Sequence, residues 1–145
     1  MASERQLSYY INKSTELANQ NYNKKIKVGL LGSFTLNGLA ETLIVKCAEK
    51  NIQCMTYVGG YNQFNQEILD HKGNLYKFDP DILFLFIDTR TVLGEIYHYP
   101  YSISTEDRKK LADTKVREIL DLTGKFCDKA RSKIVLANLN VPVFS

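Results

Sequence analysis

Ser33 is the first residue in this sequence whose type and position suit chemistry. It follows an apolar segment, Ile26–Leu31, and precedes residues with helical spacing, so the pattern predicts a serine at a strand-to-helix turn. Backbone N–H groups at a helix start can hold an oxyanion or a phosphate. A second interpretation makes Ser33 and Thr35 simple helix caps, and position alone favours it. The segment lacks the GxxxxGK spacing of a phosphate loop.

Asp88 and Arg90 form the second candidate pair. They follow Ile82–Ile87, six apolar residues that predict a strand buried on both faces. Alternation along the strand places both side chains on one side of its end. The arginine fork suits an acidic or phosphorylated group, and a structural ion pair between the two residues is an equally good interpretation.

Two histidines are available as a base for a serine nucleophile. His71 lies in a polar turn, and His98 lies in a loop beside Tyr97, Tyr99 and Tyr101. A catalytic serine needs a base within hydrogen-bond reach, but a covering role for His98 is the better prediction. The tyrosines either stack on a ligand or pack the loop against the body.

Composition excludes several classes of protein. A net charge of +3 without a concentrated basic patch argues against nucleic acid. Three scattered cysteines without a CxxC pair indicate free thiols in a reducing compartment, and no apolar run suits a signal peptide or a membrane span. We therefore expect a cytoplasmic protein with no membrane contact. No residue spacing suits a metal ion, and no cofactor is expected in this chain.

The elements that position these residues follow from periodicity. Apolar segments predict strands at 26–31, 52–58, 82–87 and 133–138, separated by helices within 1–20, over 36–50, over 61–69 and from 104 to about 131. Thr35 or Asn37 is the predicted cap of the second helix, and Asn51 its end. The order βαβαβαβ predicts a three-layer α/β/α sandwich with a parallel sheet.

The carboxyl edge of that sheet is the predicted binding edge. Ligands of such sheets bind beyond the carboxyl ends of the strands, where the strand order reverses. The sequence places Ser33, Gly60, Asp88 and Asn138 at that edge.

Four short motifs carry a resemblance to a known family. Residues 27–145 resemble the N-terminal, SGNH-hydrolase-like domain of FkbH-type proteins through LGSFT at 31–35, GYNQFNQEIL at 60–69, FDPDI at 78–82 and DTR at 88–90. The resemblance implies an SGNH- or flavodoxin-like fold. It divides the single α/β domain, 1–145, into a helical extension over 1–24 and a core over 25–145.

The resemblance also implies a function. In this family the domain precedes a HAD-like phosphatase-type domain, and the pair is implicated in loading glycerate from a bisphosphorylated donor onto an acyl carrier protein. That chemistry belongs to polyketide or surface-polysaccharide biosynthesis. The implied ligand-binding residues are Gly32, Thr35, Gly60, Asn62, Asp88 and Arg90.

Departures from the SGNH pattern favour an auxiliary domain over an enzyme. Ser33 stands at the nucleophile position, but Gly32 replaces the preceding aspartate, and Asp88 and Arg90 replace a glycine and an asparagine. The Asp-x-x-His block and a HAD-type DxDxT motif are absent from the sequence. An esterase or acyltransferase using Ser33 and a scaffold without a small-molecule site are the alternatives.

The chain stops directly after its fourth predicted strand, so we expect a truncated core that lacks its last strand. An exposed sheet edge would then be free to pair with a second copy. The expected partners are a C-terminal HAD-like domain, an acyl carrier protein and a second copy of the chain.

Overall fold

The computed structural model describes residues 6–18 and 20–139, which form a four-stranded sheet with helices on both faces. The strands are β1 (Lys24–Gly32), β2 (Ile52–Val58), β3 (Ile82–Phe86) and β4 (Lys133–Leu136). The helices are α1 (Leu7–Leu17), α2 (Leu39–Ala48), α3 (Phe64–Leu69), α4 (Asn74–Phe78), α5 (Thr89–Leu93) and α6 (Thr105–Cys127), and two 3₁₀ turns, Gly94–Tyr97 and Pro100–Ser102, lie between α5 and α6. The predicted α/β class is confirmed.

All neighbouring strands are parallel, in the order β2-β1-β3-β4. The chain therefore moves from β1 outward to β2 and then crosses back past β1 to β3. Its strand order reverses at β1, and the loops after β1 and β3 meet at the carboxyl edge there.

Each face of the sheet has its own apolar core. On the first face, Val28 and Leu30 of β1 pack with Ala40 of α2 and Cys54 of β2. The second core contains residues of β1, α3, α4, β3, α6 and the loop directly after β3, namely Leu31, Phe64, Ile68, Leu75, Leu83, Leu85, Ile87, Leu122 and Phe126. The arrangement is the predicted three-layer sandwich.

Local helix starts differ from the prediction. Helix α2 begins after Gly38, whose φ of 82° is the left-handed conformation that glycine adopts readily, and no side chain caps it. The predicted caps, Ser33, Thr35 and Asn37, are therefore wrong. The helix ends at Ala48, two residues earlier than predicted, and Asn51 lies in the turn that follows with a φ of 57°.

The helix predicted over 61–69 is shorter, because residues 61 and 62 form a turn and α3 begins at Phe64. Two further short helices, α4 and α5, were not predicted. None of the helices in the described ranges is long and apolar enough to cross a membrane.

Two of the scattered cysteines are brought together by the fold. Cys47 of α2 packs against the core that contains Cys54 of β2, while Cys127 is exposed, and all three are free. Burial, and secondarily the neighbouring Cys47 thiol, raises the pKa of Cys54 to about 12. The spacing of the cysteines in the sequence does not predict that Cys47 and Cys54 lie close together.

Candidate functional site

Four loops meet at the carboxyl edge of the sheet. The loop after β2 folds back onto β1, since the Gly59 N–H donates to the carbonyl of Leu30 (2.9 Å) and the Asn62 N–H donates to that of Gly32 (3.2 Å). Asn62 has a φ of 53°, and the Gln63 N–H donates to the Gly60 carbonyl at 3.1 Å. These bonds place the Gly60 turn beside the residue that precedes Ser33.

Ser33 is held between β1 and the end of β3. Its N–H donates to the Phe86 carbonyl at 2.9 Å, and its hydroxyl oxygen accepts the N–H of Asp88 at 2.8 Å. The residue is only 3 % exposed. Its hydroxyl oxygen therefore joins two strand ends, a role that neither the capping nor the nucleophile interpretation contained.

Asp88 is the N-cap of α5, which changes the predicted arrangement of Asp88 and Arg90. The Asp88 carboxylate accepts the backbone N–H of Arg90 at 3.2 Å, because the chain leaves the strand and begins a helix at Thr89. The Arg90 guanidinium lies 5.7 Å from the ring centroid of Tyr97. The prediction that both side chains lie on one side of the strand's end is wrong, and the ion pairs of the described residues include none between Asp88 and Arg90.

The two histidines contact tyrosines. The His71 ring lies edge-on to Tyr76 with centroids 5.4 Å apart, and His98 lies edge-on to Tyr97 at 5.1 Å. Within the described part of the chain, neither histidine forms a hydrogen bond with Ser33. The arrangement therefore gives the serine no base in hydrogen-bond contact.

A groove of about 390 Å³ opens beside Asp88 at this edge. Phe34 and Phe86 give it an apolar wall, with ring centroids 6.4 Å apart. The other lining residues are Ile87, Asp88, Ala137 and Asn138. The aromatic wall suits an apolar group, and one carboxylate and one amide are available to orient a polar end.

The structure brings only part of the predicted set together. Gly32, Ser33, Asn62 and Asp88 are joined by the hydrogen bonds above, and Gly60 lies in the same turn as Asn62. Thr35 is exposed in the loop before α2, and no side-chain hydrogen bond joins it to another residue of the described ranges.

Sequence reasoning missed the aromatic wall of the groove. The sequence predicts only that Phe34 belongs to a turn and Phe86 to a buried strand. Their positions close to Ser33 and Asp88 in the sequence were the only signal that they line a site. The helices that pack on β3 decide which of its faces stays accessible, and the sequence does not show this.

Comparisons with known proteins agree with this architecture. A solved structure, the N-terminal part of the protein BF1531 from Bacteroides fragilis containing a phosphatase domain complexed with Mg, matches with a TM-score of 0.69 and 22 % sequence identity. The match covers 91 % of this chain and 34 % of that one, so this chain spans about a third of the solved protein. A comparison with curated proteins gives no match.

A family model covers most of the chain. The model of the FkbH N-terminal domain matches residues 27–143, which run from β1 past the end of β4 and include Ser33, Asp88 and the groove. The chain therefore belongs to the FkbH N-terminal domain family.

Proposed function

We propose that this chain is an auxiliary, non-catalytic domain of an FkbH-like protein that also contains a phosphatase domain. In this proposal the domain assists the loading of glycerate, or a related acyl group, onto an acyl carrier protein, and it binds the acyl group at the groove beside Asp88. Membership of the family and the phosphatase domain of the solved protein support the proposal.

The burial and the hydrogen bond of the Ser33 hydroxyl are the observation that supports a non-catalytic role. A nucleophilic serine must reach the substrate and pass its proton to a base. This hydroxyl is buried, its oxygen accepts the Asp88 N–H, and no histidine is bonded to it in the described residues. The arrangement stabilises the loop that shapes the groove and does not supply an activated oxygen.

The groove offers suitable chemistry for a short polar acyl group. Phe34 and Phe86 can cover the carbon chain, while the Asp88 carboxylate can accept hydrogen bonds from hydroxyl groups. The Asn138 amide can both donate and accept, which suits an ester, thioester or amide link to a carrier.

Hydrolysis of short acyl p-nitrophenyl esters tests the absence of catalysis. We expect the same background rate for the wild type and for Ser33→Ala, each checked for folding by circular dichroism. Turnover that Ser33→Ala abolishes without unfolding the protein would establish the alternative, an esterase or acyltransferase that uses Ser33.

Binding is tested separately with a glycerate thioester of N-acetylcysteamine. We expect its addition to shift the backbone amide signals of Asp88 and Asn138 and to leave those of Thr114 on α6 unchanged. Asn138→Ala should weaken the binding several-fold, while Asn74→Ala, an exposed asparagine outside the groove, should leave it unchanged. An absence of shifts at the groove would contradict the binding role and leave the scaffold interpretation.

A further inference from the structure

A second pocket lies at the carboxyl end of β3, on the face of the sheet that carries the second core. It lies between α3, α5 and α6 and has a volume of about 240 Å³. On the basis of the proposed function, in which a carrier brings the acyl group to the groove beside Asp88, we propose that this pocket binds the carrier's pantetheine arm. Pantetheine is a neutral chain of hydroxyl and amide groups that ends in a thiol.

The floor of the pocket is apolar. Phe64 of α3, Ile87 after β3 and Leu122 of α6 line it, and they are only 6 %, 5 % and 8 % exposed. Contact with such a surface stabilises a hydrocarbon group and disfavours a charged one, which would lose its hydration. Pantetheine has a carbon with two methyl groups between its hydroxyl groups, and this branched segment suits the floor.

Two neutral polar side chains lie at the rim of the pocket. Asn65 belongs to the first turn of α3 and Thr91 to α5, and both residues are exposed. Within residues 6–18 and 20–139, neither side chain forms a hydrogen bond with another residue. An asparagine amide and a threonine hydroxyl each donate and accept hydrogen bonds, as the hydroxyl and amide groups of pantetheine do. The rim therefore offers partners for the polar groups on either side of the branched carbon.

The charges at the rim favour a neutral chain over an anion. Lys115 and Glu118 lie one turn apart on α6, with the lysine Nζ 2.8 Å from the glutamate Oε2. A carboxylate or phosphate beside this pair would be attracted by the lysine and repelled by the glutamate, so the two effects largely cancel. Hydrogen bonds and the apolar floor then decide which ligand binds.

The size and position of the pocket suit a segment of a longer molecule. Pockets that enclose a whole ligand usually have volumes of about 300–1,000 Å³, which is more than this pocket offers. Ile87 lines both this pocket and the groove beside Asp88. One chain can therefore cross the carboxyl end of β3, with its amide segment in the pocket and its acyl group in the groove.

Pantetheine without an acyl group tests the pocket independently of the groove. In NMR titrations we expect it to shift the backbone amide signals of Asn65, Thr91 and Lys115, and to leave that of Thr15 on α1 unchanged. Neopentyl alcohol, which has the branched carbon and a hydroxyl but no amide, should bind more weakly. No shift at the pocket up to about 10 mM pantetheine, or equal binding of the two compounds, overturns the proposal.

Two rim variants test which side chains hold the arm. Asn65→Ala and Thr91→Val should each weaken pantetheine binding about 2- to 10-fold, the loss expected for one hydrogen bond. Asn74→Ala and Thr15→Val, which change exposed residues outside the pocket, should leave the binding unchanged. All four positions are exposed, so the variants should fold like the wild type, which circular dichroism checks. Equal effects of the rim and control variants would contradict the proposal.

The glycerate thioester titration separates this proposal from the proposed function. If the thioester shifts the signals of Asp88 and Asn138 while pantetheine shifts none at the pocket, the groove binds the acyl group and the pocket proposal is wrong. Pantetheine shifts at the pocket without thioester shifts at the groove would support the pocket and contradict binding of the acyl group beside Asp88.

Discussion

The Ser33→Ala substitution removes one buried acceptor and leaves the rest of the loop unchanged. In the wild type the Ser33 hydroxyl oxygen accepts the Asp88 N–H at 2.8 Å, and the residue is almost fully buried. An alanine methyl group fits the same space but cannot accept that bond. The Asp88 N–H would then be left without its partner at the start of α5.

The expected loss of stability follows from that single bond. An unsatisfied buried donor costs about 1–3 kcal/mol. A chain of 145 residues has an unfolding entropy of roughly 0.3 kcal/mol per degree at its melting temperature. Ser33→Ala should therefore lower the Tm by about 3–10 °C.

Urea and thermal unfolding followed by circular dichroism measure this loss. Ser102→Ala is the matched control, because Ser102 is exposed and its hydroxyl donates to the Tyr99 carbonyl at 2.7 Å. The control should change the free energy of unfolding by less than about 0.5 kcal/mol. If Ser33→Ala were equally harmless, the hydroxyl would not stabilise this edge, and the argument against its use as a nucleophile would lose its basis.

Three further predictions concern other parts of the fold. Gly59→Ala should lower the free energy of unfolding by about 1–3 kcal/mol, because a Cβ there would overlap the buried Leu31 side chain. In the same urea titration, Gly124→Ala should raise the free energy of unfolding by about 0.5–1 kcal/mol, because its Cβ in α6 meets nothing within 4 Å. Asp88→Ala should destabilise the protein by about 0.5–2 kcal/mol through loss of the α5 cap, and Asp88→Asn, which can still cap, should cost clearly less; equal losses would show that the cap is not the cause. The free energy of unfolding should also fall as the pH rises from about 9 toward 12, because burial raises the pKa of the Cys54 thiol to about 12 in the folded state, whereas the unfolded chain releases this proton near 9.0. The urea midpoint of Cys54→Ala should therefore fall less over this pH range than that of the wild type.

The strands were predictable because their residues satisfy a local requirement. A strand covered on both faces must be apolar throughout, and the run from Ile82 to Ile87 has that character in any arrangement of its neighbours. The predicted 52–58 and the observed β2, Ile52–Val58, agree because residues that favour strands lie there between the turn residues Asn51 and Gly59. Parallel pairing also followed from the sequence, since a helix between successive strands returns the chain in the original direction.

Helix starts were less predictable, because several neighbouring residues can cap the same helix and very short helices have little periodicity. The cap of α2 is set by the left-handed backbone of Gly38, where three hydroxyl or amide side chains close by had been favoured. Arg90 lies in a helix and not along the strand, because Asp88 caps α5. This helix has only 5 residues, too few for an apolar periodicity to predict it.

The sequence by itself determined the fold class, the family and the edge at which Ser33, Gly60 and Asp88 lie. These follow from apolar periodicity and short motifs, which are local properties of the chain. Only the tertiary structure decided what the residues do there. The bond between Ser33 and Asp88 spans 55 positions of the sequence. The contact of Cys47 with the core around Cys54 and the aromatic groove both depend on which helices cover which strands. A side chain's partners are set by packing in three dimensions, and no local pattern encodes that packing.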